Sequence, residues 1–176
     1  MNESATSRLR ETPTSNARLP RHAAVDAAMV PEELRVSGCT CARVRRLARR
    51  VTQIYDRVLA PSGLRVTQFS LLSALARSGA MAIGPLAIVL DMDRTTLTRN
   101  LKPLVHARLV TLAPGKSDAR QREASLTRAG RVRYDGAKKL WRRAQDDLNR
   151  TLGASRVASL HQLSDAVLDA LNQKPV

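Results

Sequence analysis

Aromatic residues are almost absent from this 176-residue chain: Tyr55, Phe69, Tyr134 and Trp141 are the whole set. Single-stranded nucleic acid is gripped by several exposed rings on which successive bases stack, and four scattered rings argue against that mode. Cysteine is as scarce. Cys39 and Cys41, two residues apart, do not make a disulfide framework. His22, His106 and His161 lie far from one another and lack carboxylate or cysteine partners at ligand spacing, so neither a zinc site nor any other metal or cofactor is expected. No nucleophile is paired with a base, and no carboxylates are paired, so the chain is not expected to be an enzyme. Long apolar runs are missing, and the first residues lack the apolar core of a secretory signal. The expected compartment is the cytoplasm, with no membrane partner.

What the chain has in excess is positive charge, with a formal net charge of +15 and a pI near 11.4. Such an excess suits a polyanionic partner. Residues 1–35 hold five arginines and five acids, which cancel, so the whole excess falls in the remainder. That first stretch is rich in Ser, Thr, Asn, Pro and Arg without an apolar period, and reads as a disordered tail. The remaining length suffices for one folded domain with a real core.

From residue 36 the pattern becomes helical. Val44, Leu47, Val51, Ile54 and Val58 follow 3-4-3-4 spacing, the seam of a long amphipathic helix within 36–62, which "APSGL" stops. "VTQFSLLSALARSG" reads as a second helix, with Thr67 as its cap and Gly79 just past its end. A short third helix, "GPLAIVLDM", opens near Pro85. The fourth starts at Asp93 and turns Leu97, Leu101 and Leu104 inward, while Pro103 predicts a kink. Ala87 supplies a small residue at the crossing and Asp91 a residue tolerant of a tight turn, so helices three and four read as a helix-turn-helix. Its second helix would enter the major groove of duplex DNA.

Gly115-Lys116-Ser117 has the look of a phosphate-binding loop, but the glycine such a loop needs five positions earlier is Val110. "RLVTLAPGK" is instead a β-branched run entering a Pro-Gly turn, and "EASLT" is the returning strand. Lys116, Arg120 and Arg122 give that hairpin a basic tip beside Asp118. The unit at 63–130 thereby becomes a winged helix-turn-helix. Two further helices fill 131–176. Val132, Ala137, Leu140, Trp141, Ala144 and Leu148 form the apolar face of one, and Ser155 is the expected cap of the other, which bears Val157, Leu160, Leu163, Val167 and Leu171. The fold class is mainly α with a small β-wing. The flanking helices carry more apolar stripe than a lone domain needs, so they read as dimerisation helices.

Asp118-x-Arg120, five residues, then Leu126-Thr127-x-x-Gly130 resembles the wing signature of the MarR family of bacterial transcription regulators. The likeness extends to "GLRVTQFSLLSAL" and to the "LA…DRTTLTRNL…LV" run, and covers about residues 37–172. It implies a homodimer whose N- and C-terminal helices intertwine and whose winged lobes straddle a pseudo-palindromic double-stranded operator. On that resemblance Arg94, Thr95, Thr96, Thr98 and Arg99 lie on the recognition helix. Arg120 is the minor-groove residue of the wing, oriented by Asp118, with Lys116 and Arg122 supporting phosphate contact. Tyr55, Asp56 and Trp141 are implied lining residues of a small-molecule effector pocket, while Phe69 suits core packing. Arg108 stands where relatives commonly have a glycine.

The expected function is a ligand-responsive, sequence-specific DNA-binding repressor. Two alternatives stay open: a regulator sensing thiol oxidation or a soft metal through Cys39 and Cys41, and an unspecific basic nucleic-acid-binding protein.

Overall fold

A computed structural model of the protein describes residues 38–115 and 121–173. The expected disordered tail, residues 1–35, lies outside the described residues, as do Lys116, Asp118 and Arg120, which were expected at the hairpin tip. The chain falls into two units, Met1–Arg43 and Val44–Val176. Of the first, only residues 38–43 are described; the architecture below is that of the second.

Helix α1 spans Thr40–Leu59 and passes into a 3-10 turn, Ala60–Ser62, which Gly63 ends in the left-handed region at φ 71°. Helix α2 follows at Val66–Ser78. Thr67, the expected cap, lies inside α2. The first amide, Val66 N–H, is instead taken by the Asp56 carboxylate at 2.7 Å, and Arg65 N–H by the Gln68 side chain at 2.9 Å. A two-residue strand β1, Met81–Ala82, leads into α3, Ile83–Val89, and α4, Arg94–His106. The hairpin is β2, Val110–Pro114, and β3, Arg122–Leu126. Helix α5, Arg128–Leu152, and α6, Ala154–Gln173, close the chain. Ser155 sits in the first turn of α6 rather than at its cap. Pro85 is the third residue of α3, and Pro103 does not end α4, which runs through it to His106.

The sheet order is β1-β3-β2, antiparallel throughout, with Val110 opposite Leu126, Pro114 opposite Arg122 and Met81 opposite Ala124. Pro114, which has no N–H to give, therefore ends an edge strand, where it costs no ladder bond. Strand β1 was not foreseen in the sequence. It exists only because the central strand β3 offers its second edge.

The core is a leucine cluster. Leu59, Leu71, Leu72, Leu75, Leu86, Leu97, Leu101 and Leu104 are all buried, joined by Val110 and Ala124 from the sheet and Ala137 and Ala144 from α5. The 3-4 spacing of Leu97, Leu101 and Leu104 puts all three on one face of α4, and that face alone is buried. Val132, expected on the apolar face of α5, is exposed; the buried residues of that helix are Gly130, Tyr134, Ala137, Ala144 and Leu148.

Both ends of the helix-turn-helix close in the same way. Met92 N–H donates to the Ala87 carbonyl and Asp91 N–H to that of Ile88. Leu109 N–H donates to Leu104 and Arg108 N–H to Val105. This paired pattern is a Schellman closure, which places one residue in the left-handed region. Here those residues are Asp91 at φ 50° and Arg108 at φ 55°, where a glycine is usual. The chain thus meets the tight turn expected at Asp91, and Arg108 holds a conformation in which glycine is usual.

Candidate nucleic-acid interface

Helix α4 begins at a built cap. The Asp93 carboxylate accepts Thr96 N–H at 2.8 Å on one oxygen and the Thr96 hydroxyl at 2.6 Å on the other. These bonds, the hydroxyl's first, hold the Asp93 carboxyl below its ordinary pKa. Thr96 is therefore half-buried and engaged in the cap. Of the five α4 positions expected to meet DNA it is the one that is not exposed.

The other four are exposed. Successive residues rotate by about 100° around a helix. Opposite the leucine face this leaves Thr95 and Arg99 pointing outward, while Arg94, Thr98 and Lys102, spaced by four, form a second row beside them. The Thr98 hydroxyl donates back to the Arg94 carbonyl at 2.7 Å. The second row faces the wing. Arg94, Thr98 and Lys102 line a groove of about 660 Å³ whose far wall is Leu112, Gln121 and Arg122. The Arg122 guanidinium donates to the Leu112 carbonyl at 3.3 Å, which lays it across the hairpin toward α4. Below the tip, Gly115 N–H donates to the Gln121 carbonyl at 2.7 Å and keeps the strands paired.

No ion pair among the described residues engages Arg94, Arg99, Lys102 or Arg122. The groove is therefore a cationic channel with an apolar floor of Ile83, Leu101 and Val105. Lys102 completes it and was not among the sequence candidates; its four-residue spacing from Arg94 and Thr98 was the available signal. The structure brings Arg94, Thr98 and Arg122 together, with Thr95 and Arg99 on the adjoining face.

The expected effector residues divide. Trp141 lines a cavity of about 270 Å³ between α2 and α5, with Phe69, Ser73, Arg77, Leu90 and Lys138 around it. Phe69 is buried in the core, as its type suggested, and its ring stacks on Tyr134 at 5.4 Å and on Trp141 at 5.8 Å. Asp56 and Tyr55 do not line this cavity. Asp56 caps α2 and sits 4.0 Å from Arg65, while the Tyr55 hydroxyl, its pKa raised by burial, donates to Gln145 at 2.5 Å and ties α1 to α5. Cys39 and Cys41 are exposed free thiols. No group of three or more His, Cys, Asp or Glu among the described residues is placed to hold a metal ion, and none of their helices is long and apolar enough to cross a membrane.

The model of the MarR family matches residues 64–121, which span α2 to the wing tip. The transcriptional regulator MosR of M. tuberculosis, solved in complex with DNA, is 38% identical, with a TM-score of 0.62 over 73% of this chain and 98% of that one. The chain belongs to the MarR family. Two further members superpose on it. A cysteine-to-serine mutant of MarR from E. coli, bound to operator DNA, is 25% identical with a TM-score of 0.67 over 73% of this chain and 92% of that one. The transcriptional repressor CouR, bound to a 23-mer duplex, is 25% identical with a TM-score of 0.69 over 79% of this chain and 99% of that one. No curated protein sequence matches. This MarR-family regulator thus shares the winged helix fold of relatives that were captured on duplex DNA.

Proposed function

We propose that this protein is a homodimeric, cytoplasmic repressor that reads a pseudo-palindromic duplex operator and releases it when a small molecule binds. The observation that carries DNA reading is the pair of adjacent cationic surfaces on α4. Thr95 and Arg99 face outward, where a helix in the major groove meets base edges, and the groove beside them carries three cations that no acid among the described residues pairs with. Arg120 and Lys116 at the tip would add a minor-groove and a phosphate contact, with Asp118 orienting Arg120. The test is binding to the duplex upstream of the protein's own gene against a shuffled duplex, at two salt concentrations, for wild type and Arg120→Ala. Preference for the first duplex, reduced by the substitution, supports the reading. Equal binding to both, and to duplexes selected from a random pool, would leave the unspecific coating role instead.

Dimerisation is supported by Leu163, Val167, Leu168 and Leu171 on α6, all about half or more exposed along one helix. Glutamate at Leu163 and Leu171 should yield a monomer by sedimentation and abolish operator binding. The effector reading rests on the cavity at Trp141, whose aromatic wall and basic rim suit a planar anion. Quenching of Trp141 fluorescence by such a compound, with parallel loss of DNA affinity, checks it. A second reading is kept for the two exposed thiols: DNA release on oxidation, abolished in Cys39→Ser/Cys41→Ser, would make the protein a thiol sensor.

A further inference from the structure

Gly84, the second residue of α3, has no conformational reason to be glycine. Its φ is not in the left-handed region, which the positive-φ glycines Gly38, Gly63, Gly79 and Gly153 all occupy. In a helix an alanine would be favoured over glycine. What glycine provides here is room. A Cβ built on Gly84 would stand 3.1 Å from Nη2 of Arg94, 3.9 Å from its Cζ and 4.0 Å from its Nε, and these are the three nearest heavy atoms it would meet. The Arg94 guanidinium lies against the backbone of α3.

That contact settles where the charge of Arg94 is presented. Arg94 is the first residue of the recognition helix, a position from which an extended side chain reaches base edges. Folded back onto Gly84, it instead lines the groove with Lys102 and Arg122. The outward face of α4 is left to Thr95 and Arg99. A channel between α4 and the wing, rimmed by three cations and floored by Ile83, Leu101 and Val105, offers its charge to a phosphate backbone from beside the outward face of α4.

We propose that Gly84 is a positioning residue for DNA binding: lacking a Cβ, it seats the Arg94 guanidinium in the groove beside Lys102 and Arg122, so that Arg94 contacts backbone phosphate and leaves base reading to the outward face. This rests on the DNA-binding function proposed above. Arg94 then supplies affinity without sequence preference. Gly84 supplies none of its own and acts only through Arg94. Alanine at Gly84 pushes the guanidinium out by a few tenths of an ångström or swings it away, a displacement a flexible side chain can make without cost to folding.

The experiment is a double-mutant cycle with wild type, Gly84→Ala, Arg94→Ala and the double variant. Each is titrated against a duplex selected by the wild-type protein from a random pool, and against its shuffled counterpart, over a series of salt concentrations. Arg94→Ala should weaken binding to both duplexes about equally, by roughly tenfold, and lower the magnitude of the salt slope by about 1. Gly84→Ala should weaken both by a smaller factor, with a melting temperature equal to or above that of wild type, and should have no effect once Arg94 is gone. Three results would overturn the proposal: a fall in the ratio between selected and shuffled duplex in Arg94→Ala, which would make Arg94 a base reader; an undiminished effect of Gly84→Ala in the Arg94→Ala background; or a lowered melting temperature that accounts for the loss. Failure of the wild-type protein to select any duplex would instead refute the sequence-specific reading proposed above, a result distinct from all three.

Discussion

The Thr127 hydroxyl donates to the Arg108 carbonyl across 2.7 Å, joining the cap of α5 to the residue that follows α4. The same oxygen accepts Gly130 N–H at 2.9 Å and so caps α5. One side chain thus ties the point where the chain leaves α4 to the start of α5. Thr127→Ala removes a helix cap and leaves a carbonyl without its partner. It should lower stability by about 2 kcal/mol, the sum of a cap and a hydrogen bond. Thr127→Ser, which keeps the oxygen, should recover most of that. Urea denaturation of the three proteins checks both statements.

Arg108 holds φ 55° at the position where a Schellman closure usually has glycine. An L side chain there costs roughly 1–2 kcal/mol, part of which a glycine returns through the greater freedom of its unfolded chain. Arg108→Gly should therefore raise stability by about 1 kcal/mol, seen as a higher urea midpoint at unchanged slope. Arg108→Ala keeps a Cβ and should not. An equal gain from both would locate the effect in the lost charge, not in the backbone.

Gly130 is required by a different constraint. A Cβ there would fall 1.9 Å from the Leu109 carbonyl oxygen, a backbone atom that cannot step aside as a side chain can. Gly130→Ala must push α5 away from the end of α4, and should cost at least about 2 kcal/mol by the same denaturation assay. The comparison with Gly84→Ala is informative, since there the obstructing atoms belong to a flexible arginine. A Gly130→Ala protein as stable as wild type would mean that α5 is free to shift.

What could be read from the sequence was local or periodic. The leucine spacing of α4, its start at Asp93, the tight turn at Asp91 and the hairpin each depend on residues close together in the chain, and each stands where expected. The missed features depend on partners far apart. Strand β1 is two residues long and is held by β3, some forty positions later. Asp56 was expected at an effector pocket on the family resemblance; only the fold reveals that its carboxylate accepts the Val66 amide ten residues on and so caps α2, where Thr67 was expected. Lys102 and Gly84 matter through the groove, a surface assembled from α3, α4 and the wing. A helix pattern says which face is apolar, but not which polar residue the neighbouring element will turn to use.

Asp93 carries the last prediction, one of sign with pH. Its carboxylate is bonded twice to Thr96, and the folded-state pKa is lowered, by the hydroxyl bond first and the amide bond next. A group that binds its proton more weakly when folded stabilises the fold fully above its unfolded pKa, and loses that contribution as pH falls through the lowered value. The cap at the start of α4 should thus be intact at neutral pH and given up only below the ordinary carboxylate range. Asp93→Asn keeps an acceptor for Thr96 N–H but carries no charge, so its cap does not titrate. The stability difference between wild type and Asp93→Asn, followed by urea midpoints at stepped pH, should be constant near neutrality, favour wild type, and shrink in acid. If it grew as pH fell, the carboxylate at Asp93 would be opposing the helix start, and its role as the cap of α4 would be refuted.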